Sequence, residues 1–111
     1  MITAPPYIQG ADLPDLTLNW RDSQSNLIAF GTVAHTFELK VGQVGSAASL
    51  TKTTGITGAD TSPNITIAWA TTGELNTLVP GTYHADLTAT RTSDGKQRKF
   101  RFVLPVERPI T

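Results

Sequence analysis

The chain has 111 residues, a length that predicts one domain able to bury about two thirds of its unfolded surface without covalent cross-links. It contains no cysteine, which excludes disulfide bonds, thiolate catalysis and cysteine-bound zinc. Nine basic and nine acidic residues balance to a net charge of zero, which argues against a general polyanion binder.

The first residues form a segment of their own, since the two adjacent prolines cannot be helical. We predict an extended N-terminal arm over residues 1–12 and a single β-sandwich domain over residues 13–111. Tyr7 is the first place where a short edge strand can start. Because a terminal segment often becomes ordered only against a partner, Pro5, Pro6 and Tyr7 are candidate interaction residues.

Two signals for targeting are missing from the sequence. The N-terminus lacks the basic start and the apolar stretch of a signal peptide. No apolar run approaches the roughly 20 residues that a membrane helix requires. Neither export by the usual route nor membrane insertion is expected.

Three short segments alternate apolar and polar residues with a period of two, which predicts strands with one solvated face. They are DLTLNW at 15–20, HTFELKV at 35–41 and NITIAWA at 64–70. Parity places Trp20 and Trp69 on the inward faces. Between the last two segments, the glycine-rich sequence predicts a weak strand at 49–53 and a loop at 55–63. One helical turn is predicted at residues 74–78.

The longest alternating stretch, residues 80–106, predicts one antiparallel hairpin. Its loop is TSDG, in which the glycine can take the positive φ that a four-residue loop on a type I turn requires. This register places Asp86 opposite Arg101 and Leu87 opposite Phe100. Large residues then meet small or medium ones on the buried face.

The whole pattern predicts an all-β fold. Threonine is the commonest residue, and with valine, isoleucine and the aromatic residues it favours strands. Short strands separated by turn signals at roughly 8 to 12 residue spacing predict an immunoglobulin-like two-sheet antiparallel β-sandwich of about seven strands. Gly81 and Tyr83, in PGTY, resemble the corner of such domains, where the tyrosine hydroxyl anchors the preceding loop. Tyr83 is therefore expected to be buried, with its hydroxyl bonded to the backbone near residues 74–78.

The order of these segments resembles a family of viral modules. DLTLNW, HTFELKV, ITIAW, PGTY and the final hairpin are similar to the β-sandwich domains of tailed bacteriophage particles. The nearest family is the N-terminal domain of phage baseplate upper proteins and related tail-fibre or virion modules. The resemblance implies a non-enzymatic structural role in a tail, baseplate, fibre or head, without catalytic residues or a cofactor. It also implies localisation in the virion after assembly in the host cytoplasm.

The partners that the resemblance implies are other virion structural proteins and further copies of the chain. Residues 1–90 carry a net charge of −4 and residues 91–111 a net charge of +4. Unlike surfaces of this kind suit head-to-tail contacts, so Lys99 and Arg101 on the outer side of the last strand are candidate interaction residues. A short basic strip without exposed aromatic residues favours edge protection over nucleic-acid binding, and no nucleic acid is expected.

Two alternatives remain open, a carbohydrate-binding module and an accessory domain of a larger enzyme. A sugar-binding platform would need Trp20 and Trp69 to be exposed, whereas their parity favours core packing. His35, His84 and Asp86 can be drawn as a metal or proton-relay site, but an outward polar face is the simpler interpretation.

Other catalytic patterns are weak. No serine lies in a G-x-S-x-G motif. The carboxylates of Asp12, Asp15 and Asp22 lie in turns, where they commonly cap backbone amides, so they do not indicate a glycosidase pair. The glycosylation pattern that starts at Asn64 is incidental in a chain without an export signal. We therefore expect no catalytic residue, no metal and no cofactor.

Overall fold

A computed structural model describes residues 2–4, 6–9, 15–43, 48–69, 75 and 78–107. Within these ranges the chain forms nine strands in two sheets, and the predicted all-β class is confirmed. The strands are β1 (Ile2–Thr3), β2 (Tyr7–Ile8), β3 (Leu16–Leu18), β4 (His35–Gly42), β5 (Leu50–Lys52), β6 (Ile56–Gly58), β7 (Ile65–Ile67), β8 (Gly81–Arg91) and β9 (Gln97–Glu107). The larger sheet has the order β1-β9-β8-β4-β5, with β2 also paired to β9, and the smaller sheet has the order β3-β7-β6.

The predicted hairpin is confirmed as β8 and β9, each 11 residues long. Asp86 pairs with Arg101 and Leu87 pairs with Phe100, as the alternation predicts. The loop glycine, Gly95, has a φ of 74° and donates its amide to the Arg91 carbonyl at 2.8 Å. Turn chemistry and strand parity therefore agree, and together they determine the register of the hairpin.

The inner faces of both sheets share one apolar core. Leu87 and Phe102 of the larger sheet and Ile65 and Ile67 of the smaller sheet are each 0% exposed. Aromatic pairs join the two layers, because the ring centroids of Trp20 and Phe100 lie 5.4 Å apart. Both tryptophans are only 6% exposed, which confirms that they pack in the core.

One strand lies where the sequence predicted a loop. β6 falls within residues 55–63 and pairs with β7, with Ile56 opposite Ile67. Gly58 in this strand passes very close to Phe30, since a Cβ at Gly58 would lie 2.5 Å from the Phe30 Cβ. The glycine thus permits close packing here. Its local propensity for a loop is overridden by tertiary contacts.

The described part of the N-terminal arm pairs with the last strand of its own chain. β1 and β2 both run parallel to β9, with Ile2 opposite Phe102 and Tyr7 opposite Val106. The Ala4 amide between them donates to the Val103 carbonyl at 2.8 Å. These residues are therefore part of the larger sheet.

Two predictions fall largely outside the described residues. They are the boundary between residues 12 and 13, and the helical turn at 74–78, of which only Leu75 and Leu78 are described. The Leu78 amide donates to the Leu75 carbonyl at 3.3 Å. No helix in the described ranges has the length and apolarity needed to cross a membrane.

Candidate protein-interaction surfaces

Tyr83 closes the loop before β8. The side chain is 8% exposed, and its hydroxyl donates to the Val79 carbonyl oxygen at 2.5 Å. The acceptor lies one residue beyond the segment predicted from the sequence. Gly81 is exposed, and nothing lies within 4 Å of a Cβ placed on it, so close packing does not require a glycine at this corner.

Lys99 and Arg101 are both exposed on the outer face of β9. Arg101 is not a free cation, because its guanidinium holds the Asp86 carboxylate through Nε–Oδ1 at 2.5 Å and Nη2–Oδ2 at 2.9 Å. Lys40 of β4 pairs with Asp86 from the other side in the strand register. Positive and negative side chains thus alternate across three strands. The acidic residues 1–90 and the basic residues 91–111 therefore do not form separate acidic and basic surfaces on this face.

The Arg101 hydrogen bond lowers the pKa of Asp86 from its ordinary value of 3.8, and Lys99 contributes a weaker charge effect. We expect Arg101→Gln to raise the pKa of Asp86, and Lys99→Gln to raise it less, because only Arg101 is hydrogen-bonded to the carboxylate. The pKa is measured by NMR titration of the Asp86 carboxyl. An equal rise in both variants would show that charge alone, without the hydrogen bond, sets this pKa.

Tyr7, one of the candidate interaction residues, is buried within its own chain. Tyr7 is 4% exposed, and the Trp69 indole Nε1–H donates to its hydroxyl at 3.0 Å. Burial raises the pKa of the Tyr7 phenol, as expected for a desolvated hydroxyl. Of the neighbouring prolines, Pro6 is exposed and Pro5 lies outside the described residues.

The histidines do not form a common site. His35 pairs with Arg91 at one end of β4, and His84 pairs with Gly42 at the other. At about 3.3 Å per residue, the two are roughly 20 Å apart. In the part of the chain that is described, no group of three His, Cys, Asp or Glu side chains is placed to hold a metal ion.

Two acidic side chains cap backbone amides. Asp22 accepts hydrogen bonds from the amides of Gln24 and Asn26 at 2.9 and 3.0 Å, as predicted for a turn carboxylate. Asp60 accepts from the amides of Gly31 and Thr32 at 2.9 and 2.7 Å. Hydrogen bonds from the Thr32 hydroxyl and amide lower the pKa of Asp60, so it stays ionised. Both carboxylates therefore stabilise turns.

A basic cleft lies beside the hairpin loop, at what we call the hairpin end of the domain. Its volume is about 480 Å³, and its walls include Leu27, Val33, His35, Lys96 and Arg98. Asp22 also lines it, with its carboxylate bonded to two turn amides. Val33 is 39% exposed, and Lys96 and Arg98 are both exposed. Neither of these two cations makes an ion pair with another described residue. The cleft thus combines an apolar wall with available positive charge.

The other cation of this cleft is already neutralised. Arg91 holds Asp94 through Nε–Oδ1 at 3.0 Å and Nη2–Oδ2 at 2.5 Å. This contact, together with the Lys96 amide, lowers the pKa of Asp94 to about 2. The ion pair therefore persists across the physiological pH range and stabilises the conformation of the hairpin loop.

At the opposite end of the domain, which we call the arm end, the described residues include acidic and exposed apolar side chains. Ile8 is 48% exposed and pairs with Glu107. Val79 is 73% exposed. It belongs to the same end, because the Gln9 side chain donates to the neighbouring Leu78 carbonyl at 2.6 Å. Asp15 is exposed here and close enough for its charge to raise the pKa of Tyr7.

The chain matches no protein-family model, no curated protein and no solved structure. The resemblance to phage modules therefore depends on the sequence segments, and the interaction surfaces depend on the geometry described above.

Sequence reasoning missed the residues that form these two ends. Ile8 carries a signal, because it has the parity opposite to that of Tyr7 in the same short strand. Val79 follows no alternating pattern, and its exposure depends on how the loop before β8 is anchored. Lys96 and Arg98 are basic residues next to the hairpin loop in the sequence, but only the fold places them beside the exposed Val33 side chain.

Proposed function

We propose that this chain is a non-enzymatic structural module of a bacteriophage particle, of tail, baseplate, fibre or head, and that it acts through protein–protein contacts. The observation that carries the proposal is the position of the exposed large apolar side chains. Among the described residues these are Ile8, Val33 and Val79, and each lies at one of the two ends beside charged groups. An apolar centre with a charged rim is the usual composition of a protein–protein interface.

Single exposed apolar residues are normal on protein surfaces and need no explanation. Here, however, the described residues on the outer face of the larger sheet are polar, charged or half-buried, and the strongly exposed large apolar residues among those described lie at the ends. Contacts through the ends would leave the outer face free. This placement suits a module that is repeated or stacked within an assembly.

The finer fold that we propose is an immunoglobulin-like β-sandwich. It is supported by the two sheets that share one core and by the Tyr83 hydroxyl, which anchors the loop before β8 as in the corner of such domains. This fold would agree with the resemblance to phage virion modules.

The proposal is tested by mass spectrometry of purified, salt-washed particles of the phage that encodes the chain. We expect the protein in stoichiometric amounts relative to a known structural protein. Its absence from particles, with the protein present in the infected-cell lysate, would overturn the virion role.

A glycan array is the matched test of the carbohydrate-binding alternative. That alternative requires exposed aromatic rings, whereas Trp20 and Trp69 are each 6% exposed. We expect no glycan to bind above the background of an unrelated β-sandwich protein. Specific binding of one glycan class would favour the alternative over the structural role.

A further inference from the structure

We infer that copies of this chain associate head to tail, with the hairpin end of one copy receiving the arm end of the next. This inference rests on the proposed structural function and names its partner as a second copy of the chain. It differs from the expectation drawn from the sequence, because it places the contact at the two ends of the domain and does not involve Lys99 or Arg101.

The hairpin end offers a concave surface. The cleft of about 480 Å³ has Leu27 and Val33 on its wall and the exposed cations of Lys96 and Arg98 at its side. Because Arg91 is engaged by Asp94, these two cations are the positive charges available to a ligand among the described residues of the cleft. A complementary ligand is apolar at its centre and acidic at its edge.

The described residues of the arm end have this composition. Ile8 and Val79 are exposed by 48% and 73%, and the carboxylates of Asp15 and Glu107 are exposed at the same end. Tyr7 and Gln9, on either side of Ile8, are both held by hydrogen bonds. The Tyr7 hydroxyl accepts from the Trp69 indole, and the Gln9 backbone amide donates to the Glu107 carbonyl at 2.9 Å. Ile8 is therefore held in position by hydrogen bonds on both of its sides.

The two ends of one molecule are too far apart to contact each other. β9 runs from the hairpin loop at Gln97 to the arm end at Glu107, and its 11 residues span roughly 35 Å at about 3.3 Å per residue. A contact between the ends must be intermolecular. It joins two different surfaces, so it is heterologous and generates a ring if the rotation closes or a filament if it does not.

Burial of Ile8 and Val79 would supply most of the affinity, while the charges at the edge would determine orientation and encounter rate. Association should therefore weaken, but not vanish, as salt shortens the Debye length to about 8 Å at physiological ionic strength and further above it.

Two variants, each with three substitutions, test the two ends separately. The hairpin-end variant carries Val33→Ser, Lys96→Gln and Arg98→Gln. The arm-end variant carries Val79→Ser, Asp15→Asn and Glu107→Gln. All six side chains are exposed, so the fold is expected to persist, which near-UV circular dichroism checks. The control Lys40→Gln with Lys99→Gln removes two positive charges from the outer face of the larger sheet.

Association is measured by sedimentation velocity over a concentration series. We expect a concentration-dependent oligomer for the wild type, about tenfold or weaker association for each end variant, and no more than about a twofold change for the control. An equimolar mixture of the two end variants should form a heterodimer that does not grow, because each variant keeps one intact end.

Three outcomes would overturn the inference. They are a wild-type monomer at the highest soluble concentration, an oligomer that both end variants retain unchanged, and a mixture of the end variants that forms no heterodimer. The last outcome would indicate a two-fold symmetric contact. None of these decides the proposed function, which is tested separately by the presence of the chain in purified particles.

Discussion

Replacement of Asn64 by alanine is expected to lower the free energy of unfolding by about 1 to 3 kcal/mol, because it leaves the buried Trp20 amide without a partner. Asn64 is 0% exposed. Its Oδ1 accepts from the Trp20 amide at 2.7 Å, and its Nδ2 donates to the carbonyls of Trp20 and Ile28 at 2.8 and 3.0 Å. The side chain thus joins three segments of the core.

The group left unpaired is the Trp20 amide. The Ile28 carbonyl still accepts from the Phe30 amide at 3.1 Å. The Trp20 carbonyl keeps a partner, since it still accepts from the Ile28 amide at 3.1 Å. The loss in the free energy of unfolding is measured by urea titration, with fluorescence as the readout. The control is Asn19→Ala, at an exposed asparagine that bonds only to the Ser62 hydroxyl at 2.6 Å, where we expect a change within about 0.5 kcal/mol. A similar loss in both variants would show that Asn64 contributes no buried hydrogen bonds of consequence.

Replacement of Phe102 by alanine is expected to lower the free energy of unfolding by about 3 to 5 kcal/mol, the usual loss for a buried phenylalanine. Phe102 is 0% exposed and lies between Ala85 of β8 and the short strand β1. The small alanine opposite leaves space that the phenyl ring fills. Because the neighbouring strands are held in register, the cavity left by truncation collapses little.

Phe100 provides a matched control in the same strand and on the same face. It is only partly buried, so Phe100→Ala is expected to cost roughly half as much or less. Both free energies come from the same denaturant titration. Equal losses would mean that burial in the native structure does not determine the contribution of these rings.

The hairpin shows how much could be predicted from the sequence. Period-two alternation fixes which residues face inward, and the TSDG loop fixes the pairing, so Asp86 opposite Arg101 and Leu87 opposite Phe100 follow without any tertiary information. The inward parity of Trp20 and Trp69 follows from the same rule. These patterns depend only on residues close together in the sequence, so the folded protein keeps the pairing and the inward faces that they predict.

The remaining features depend on contacts between distant segments. Asn64 was noted only as part of a glycosylation pattern, yet its amide is fully enclosed and so inaccessible to a glycan. Lys52 lies on the inner face opposite Leu39, with its ammonium 5.7 Å from the Trp69 ring centroid. β6 pairs with β7 and packs against Phe30, which lies far from it in the sequence. No periodicity in the sequence encodes such partners.

The parallel pairing of the N-terminal arm has a consequence for the order of folding. β1 and β2 are the first strands of the sequence shown and β9 is the last, so their contacts close a loop that includes nearly all of it. Such a loop has a large closure entropy, whereas β8 and β9 meet across a four-residue turn. The hairpin therefore forms early and serves as the template on which the opposite terminus docks late. Until that step, one edge of the larger sheet is open to pairing with another chain.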